Sequence, residues 1–185
     1  MTGTPTTPSE VRLVLITGNP GGWKSVVSKL LWCSMPEEWQ LVTLDSLFYI
    51  SQGPHLGDNW DKYELGAPIR AAVIKYFGDR RGRVIAEGII QSDREVAAYS
   101  EAMGLRPDSE QVRFFDLRCS REAAIERMGR RPMMERPDFD LGGQYDWLSS
   151  KLKATGAQRI WTEEMMPEQV AAELVSAINS PRQRS

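Results

Sequence analysis

The sequence is short of the residues on which several kinds of function depend. It holds only two cysteines in 185 residues, Cys33 and Cys119. That is too few for a disulfide framework or a cysteine-rich zinc site, so a reducing, cytoplasmic setting is expected. Both thiols read as small buried hydrophobes. It has one histidine, His55, in a Gly-Pro-His-Leu-Gly stretch with no second histidine or cysteine nearby, which argues for a loop residue rather than a metal ligand. No apolar run approaches the ~20 residues that a membrane span needs; the longest runs from Leu13 to Ile16 with its flanks. Residues 1–10, MTGTPTTPSE, have neither a basic start nor an apolar stretch, and so do not read as a signal peptide. An excess of charge is missing too. Lys and Arg number 23 against 25 Asp and Glu, a formal net charge of −2. This removes the basic signature of proteins that coat nucleic acid, while leaving room for a local basic groove.

What is present is enough apolar material for one domain: 41% hydrophobic and 26% charged residues. Both ends read as flexible tails, residues 1–10 and 179–185, around a domain at 11–178. Within it, strands are expected at 11–16, 40–44, 83–86, 111–117 and 158–161. Helical spacing recurs between them: Val26, Val27, Leu30 and Leu31 share one face, and Val170, Leu174 and Ile178 follow Pro167. Further helices are expected at 71–77, 93–103 and 120–128, the last capped by Ser120 and the one before it by Ser92 or Asp93. Strands alternating with helices predict a parallel sheet covered on both faces. Two long irregular stretches, 53–61 and 133–143, are of the kind that often carries function.

The first strand runs into Gly18-Asn19-Pro20-Gly21-Gly22-Trp23-Lys24-Ser25, and a helical pattern follows. The spacing, the lysine, the serine and the strand-to-helix context all fit the phosphate-binding pattern G-x-x-x-x-G-K-[ST]. In such a loop successive backbone N–H groups turn into one concavity and hold phosphate oxygens, and the helix that follows adds its positive end. Lys24 is placed to reach the outer phosphates, and the Ser25 hydroxyl to ligate Mg²⁺. The departure is Trp23, which stands where the pattern has its second glycine. Its backbone N–H still serves a cradle, so nucleotide binding is expected to survive. Its bulk is expected to reshape and strain the loop, which puts catalysis in question.

The segment from Leu13 to Leu47 resembles small P-loop kinases of the chloramphenicol phosphotransferase and zeta-toxin type. The phosphate loop and helix are followed by Met35-Pro36-Glu37-Glu38-Trp39 and then Val42-Thr43-Leu44-Asp45-Ser46-Leu47, similar to the family's Leu-Pro-x-x-Trp turn and its strand ending in Val-Asp-Ser-Leu. The resemblance implies a three-layer α/β fold with a five-stranded parallel sheet, the phosphate-loop strand central and an arginine-rich lid at about 129–143. It implies ATP and Mg²⁺ as cofactors. It also implies transfer of the γ-phosphate to a hydroxyl of a small-molecule acceptor, with Asp45 orienting or deprotonating that hydroxyl. The competing reading of Asp45 is a cap for a helix over 46–50.

Further candidates follow from position. Glu87 closes the third strand and faces the same sheet edge, where it could hold Mg²⁺ through water or bond the substrate; a solvated strand end is the alternative. Arg127, Arg130 and Arg131 share a helical face, with Arg136 after them. They could stabilise the charge of a phosphoryl group in flight, Arg127 and Arg131 foremost, or form a solvated basic face. Thr162 matches a position where the family contacts adenine. Trp60 and Tyr63 could line the acceptor site or belong to the core. Two other functions stay open: a nucleotide or modified-base nucleic-acid kinase, and a nucleotide-binding module that Trp23 has deprived of chemistry.

Overall fold

The first strand is apolar at every position of Leu13–Ile16, and such a run is at home only where a sheet is covered on both sides. The computed structural model describes residues 11–50, 61–130 and 140–180, without the side chains of 48–50 and 61–65. It puts that strand, β1 (Leu13–Gly18), at the centre of a five-stranded sheet whose order is β2-β3-β1-β4-β5. The others are β2 (Trp39–Thr43), β3 (Arg83–Glu87), β4 (Val112–Arg118) and β5 (Gln158–Trp161). Every pairing is parallel. Side chains of β1 alternate between two cores, as the two-residue period of a strand requires. Val14 and Ile16 join Val27 and Leu31 of α1 (Lys24–Ser34) and Val170 and Leu174 of α7 (Pro167–Asn179). Leu13 and Leu15 join Ile74 of α3 (Asp61–Arg81) and Val96 and Tyr99 of α4 (Asp93–Ala102). The expected α/β class, parallel sheet and central strand are all found.

The helices depart more from expectation. α3 extends over 21 residues, where the apolar spacing predicts only 71–77. Gly66 and Pro68 lie in its early turns, and both are poor helix formers. α2 (Leu44–Ile50) starts directly at the end of β2, so Leu44 is the first residue of a helix rather than the last of a strand. α5 (Arg121–Gly129) is capped by Ser120, whose hydroxyl accepts from the Ala123 N–H. The region expected to be irregular up to 143 contains the start of α6 (Leu141–Lys151). Asp140 caps it by accepting from the Gly143 N–H at 2.9 Å, which offsets the low helical preference of Gly142 and Gly143. Residues 131–139 of the expected lid at 129–143 lie outside the described residues. At the C-terminus α7 continues through Asn179, and the Ser180 carbonyl accepts from Arg113 Nη2 at 3.1 Å.

α3 and α4 are joined by a buried charge network. Arg70 donates through Nη2 to Glu95 Oε1 at 2.7 Å and through Nε to Tyr99 Oη at 2.7 Å. The other Glu95 oxygen accepts from the Gln91 N–H at 2.6 Å, so the same carboxylate also holds the turn that leaves β3. Burial and the Glu95 charge push the Tyr99 phenol well above its ordinary range. Removing one partner of a buried pair strands the other. Glu95→Ala should therefore lower unfolding stability by about 3–5 kcal/mol, read from denaturant midpoints at unchanged slope. A loss under ~1 kcal/mol would place the pair among those that only surface burial supports.

Candidate active site

The carboxyl ends of the strands converge on the phosphate loop. β1 lies between β3 and β4, whose crossovers lead to opposite sides, and in an open parallel sheet this is where ligands bind. The loop fits only glycine at its tightest points. A Cβ on Gly22 would lie 2.5 Å from the Leu117 carbonyl oxygen. Gly21, at φ 76°, would meet the Ala124 backbone at 2.6 Å. Asn19 anchors the loop from beneath. Its Nδ2 donates to the Cys119 carbonyl at 2.8 Å and to Tyr145 Oη at 2.9 Å, and its Oδ1 accepts from the Cys119 N–H at 3.2 Å. The Tyr145 hydroxyl in turn donates to the same carbonyl at 3.0 Å. The side chain of Asn19 is thus committed to the protein, and only its backbone is left for phosphate.

Lys24 and Ser25 open α1, where the helix dipole is positive. Lys24 Nζ donates to the carbonyls of Gly18 and Asn19 at 3.1 and 3.2 Å, so the ammonium lies across the loop. The Ser25 hydroxyl donates to Glu87 Oε1 at 3.0 Å. Glu87 is buried, and burial pushes its carboxyl above the usual carboxylate range; the nearby Lys24 ammonium opposes that shift and the Asp45 carboxylate adds to it. Asp45 lies in the first turn of α2 and accepts from the Ile89 N–H at 3.0 Å. It sits so close to Gly88 that a Cβ there would be 2.8 Å from Asp45 Oδ1. Its carboxylate bonds across to the turn after β3. Lys24, Ser25, Asp45 and Glu87 are brought together.

The chemistry of the donor set suits Mg²⁺ carried in with a nucleotide. A hydroxyl and a carboxylate at hydrogen-bond distance are hard oxygen donors, and this ion commonly takes one or two such ligands beside phosphate oxygens and water. Among the described residues no group of three or more His, Cys, Asp or Glu could enclose a metal without that help.

Solved structures of low sequence identity share this architecture. A tunicamycin resistance protein from Deinococcus radiodurans is 14% identical, with 94% of this chain and 99% of that one covered and a TM-score of 0.64. The APS kinase of Mycobacterium tuberculosis is 16% identical over 94% of this chain and 100% of that one, also at 0.64. The shikimate kinase of Acinetobacter baumannii is 17% identical over 92% and 94%, at 0.53. The fold is that of the P-loop kinases. No protein-family model matches the sequence, and no curated protein does either.

On this frame the remaining candidates separate. Trp23 has φ 65° and ψ 9°, and is the one non-glycine residue with positive φ among the described residues. The strain expected of it is there, in the left-handed region that costs a bulky residue about 1–2 kcal/mol. Arg127 turns inward. Its Nη1 donates to the Gly21 carbonyl and to Thr162 Oγ1, both at 3.0 Å. Its Nη2 donates to the carbonyls of Thr162 and Glu163 at 2.8 and 3.2 Å. The guanidinium also stacks on the Trp23 indole at 4.6 Å. Thr162 is buried beneath it. Arg130, at the C-cap of α5, instead pairs with Glu126 at the surface, so the two arginines do not act on one face. Arg131 and Arg136 lie outside the described residues, as do His55, Trp60 and the side chain of Tyr63. Sequence reading missed Tyr145 and Cys119 as supports of the loop, since a hydroxyl or a carbonyl meeting Asn19 across the fold leaves no local pattern.

The raised Glu87 value carries a sign. Glu87 holds its proton more tightly folded than unfolded, so that stabilisation is complete below about 4.5 and is lost as pH rises through the raised folded-state value. Glu87→Gln removes the dependence. Its melting temperature should gain on that of the parent as pH climbs from acid towards neutrality, and a constant gap over that range would contradict the burial described here.

Proposed function

We propose that the chain is an ATP-dependent phosphotransferase that moves the γ-phosphate to a hydroxyl of a small-molecule acceptor. One observation carries this reading: Lys24 and Ser25 at a helix N-terminus, Ser25 bonded to a buried Glu87, and Asp45 beside them on the same sheet edge. The backbone of Gly18–Ser25 would hold the phosphates and Lys24 would neutralise charge on the transferring group. Ser25, with Glu87 through water, would hold Mg²⁺, which supplies further charge neutralisation when bound. Asp45 accepts the proton of the acceptor hydroxyl as that oxygen bonds to phosphorus, and the bond from phosphorus to the departing ADP breaks. The bond from Ile89 to Asp45 fixes the carboxylate for this role. Arg127 serves better as a clamp of the loop than as a phosphate contact, because its donors already meet four protein oxygens. Arg131 stays a proposed lid contact. A second reading, a nucleotide-binding module without turnover, draws on the left-handed Trp23 in the loop.

The test is a screen for transfer of labelled γ-phosphate to nucleosides, sugars, hydroxyl-bearing antibiotics other than aminoglycosides, and modified DNA. Labelled product supports the phosphotransferase; nucleotide binding with no product in any arm supports the second reading. Lys24→Ala should cost about 10²–10³ in transfer rate, the usual loss for one preorganised contact, and unchanged turnover would sink the phosphate-loop reading. Asp45→Asn keeps the shape but not the basicity, so calorimetry should find Mg-ATP binding retained while most transfer disappears. An Asp45→Asn protein that transfers normally and merely melts earlier would reduce Asp45 to a structural role.

A further inference from the structure

The sheet order divides the site in two. Asp45 follows β2 and Glu87 ends β3, on one side of β1. Arg127 and Thr162 follow β4 and β5 on the other. A donor whose phosphates lie in the loop and whose terminal phosphate faces the carboxylates must lead its nucleoside out over the β4–β5 half. On that half the Trp23 ring and the Arg127 guanidinium already lie against each other. The Trp23 indole packs against the core cluster that includes Ile160, Val170 and Leu174, with Met165 among the partly buried side chains beside it. Arg127 lies over its ring at 4.6 Å, and the Nη1 and Nη2 groups of that guanidinium donate to Gly21, Thr162 and Glu163. The indole Nε1–H is buried with no hydrogen-bond partner among the described residues. Packing, not polar recognition, therefore places the ring there.

We infer that the Trp23 indole occupies the stacking position a donor's base would take, so that this chain binds its phosphate donor through the polyphosphate and discriminates little among bases. The inference rests on the phosphate-loop reading above and narrows it. A planar ring sandwiched against a guanidinium is the contact that aromatic and cationic groups offer a nucleobase; here the protein supplies both partners itself. The substrate class that follows is a Mg-bound nucleoside triphosphate of any base, with inorganic tripolyphosphate as its minimal form.

The test is calorimetric binding of Mg-ATP, Mg-GTP, Mg-UTP and Mg-tripolyphosphate to the full chain and to Trp23→Gly. The full chain should bind all four within about threefold, since no base stacking contact distinguishes them. Trp23→Gly should favour ATP and GTP over tripolyphosphate by about tenfold, the scale of one stacking contact. A full chain that binds ATP more than about tenfold tighter than tripolyphosphate overturns the inference and leaves the phosphate loop intact. Loss of that preference in Trp23→Gly would then make the indole a platform for the base. If neither tripolyphosphate nor any nucleotide binds the full chain, the phosphate-loop reading falls and the inference with it. The full-chain series decides the matter even if Trp23→Gly does not fold.

Discussion

The structure depends on the burial of one strand. β1 is covered on both faces and paired on both edges, by β3 and β4. Such a strand can release its chain only at its ends, and its carboxyl end meets the point where the crossovers part. The loop that begins at Gly18 therefore emerges between the two halves of the sheet edge. Two hydrogen bonds set the acidic half relative to it: the Gly88 N–H to the Ile16 carbonyl at 3.0 Å and the Ile90 N–H to Thr17 Oγ1 at 3.0 Å. Both tie the turn after β3 to β1, and Asp45 bonds to the residue between them. The placing of the carboxylates is a consequence of strand pairing, carried a few residues past the last pair.

The two halves of the edge differ in how they hold charge. On one side, Glu87 and Asp45 crowd like charges next to the Lys24 ammonium, and burial makes the ionised form of Glu87 costly. On the other, a guanidinium is neutralised by carbonyl dipoles and an aromatic face, with no carboxylate as its bonded partner in the contacts described. An incoming polyphosphate would bring Lys24 new partners on the first side. It finds the second side already satisfied. This asymmetry gives the site a direction.

Much of this was legible in the sequence, and the parts that were not share a cause. The five strands announced themselves through short apolar runs, and the phosphate loop through its spacing. Asp45 and Glu87 could be placed because a strand end fixes where the next residue lies. α6 was hidden because Gly142 and Gly143 argue against a helix, and the Asp140 cap that overrides them is a single residue. Half of α3 was hidden by Gly66 and Pro68 in the same way. Helical periodicity groups Arg127 with Arg130, whereas contacts formed across the fold, with Gly21, Trp23 and Thr162, pull Arg127 inward. The departure at Trp23 was visible as a residue type. Where its ring goes depends on Arg127 of α5, which no local pattern reports.

The anchoring of Asn19 has a consequence for how the chain acquires its shape. Its partners Cys119 and Tyr145 lie 100 and 126 positions further on. Contacts of such separation close large loops, and they form only after the entropy of those loops has been met by other packing. A chain emerging from the ribosome displays Gly18–Ser25 early, but the clasp beneath that loop waits until α6 has been made. Fragments that stop short of Tyr145 carry the motif without its full support.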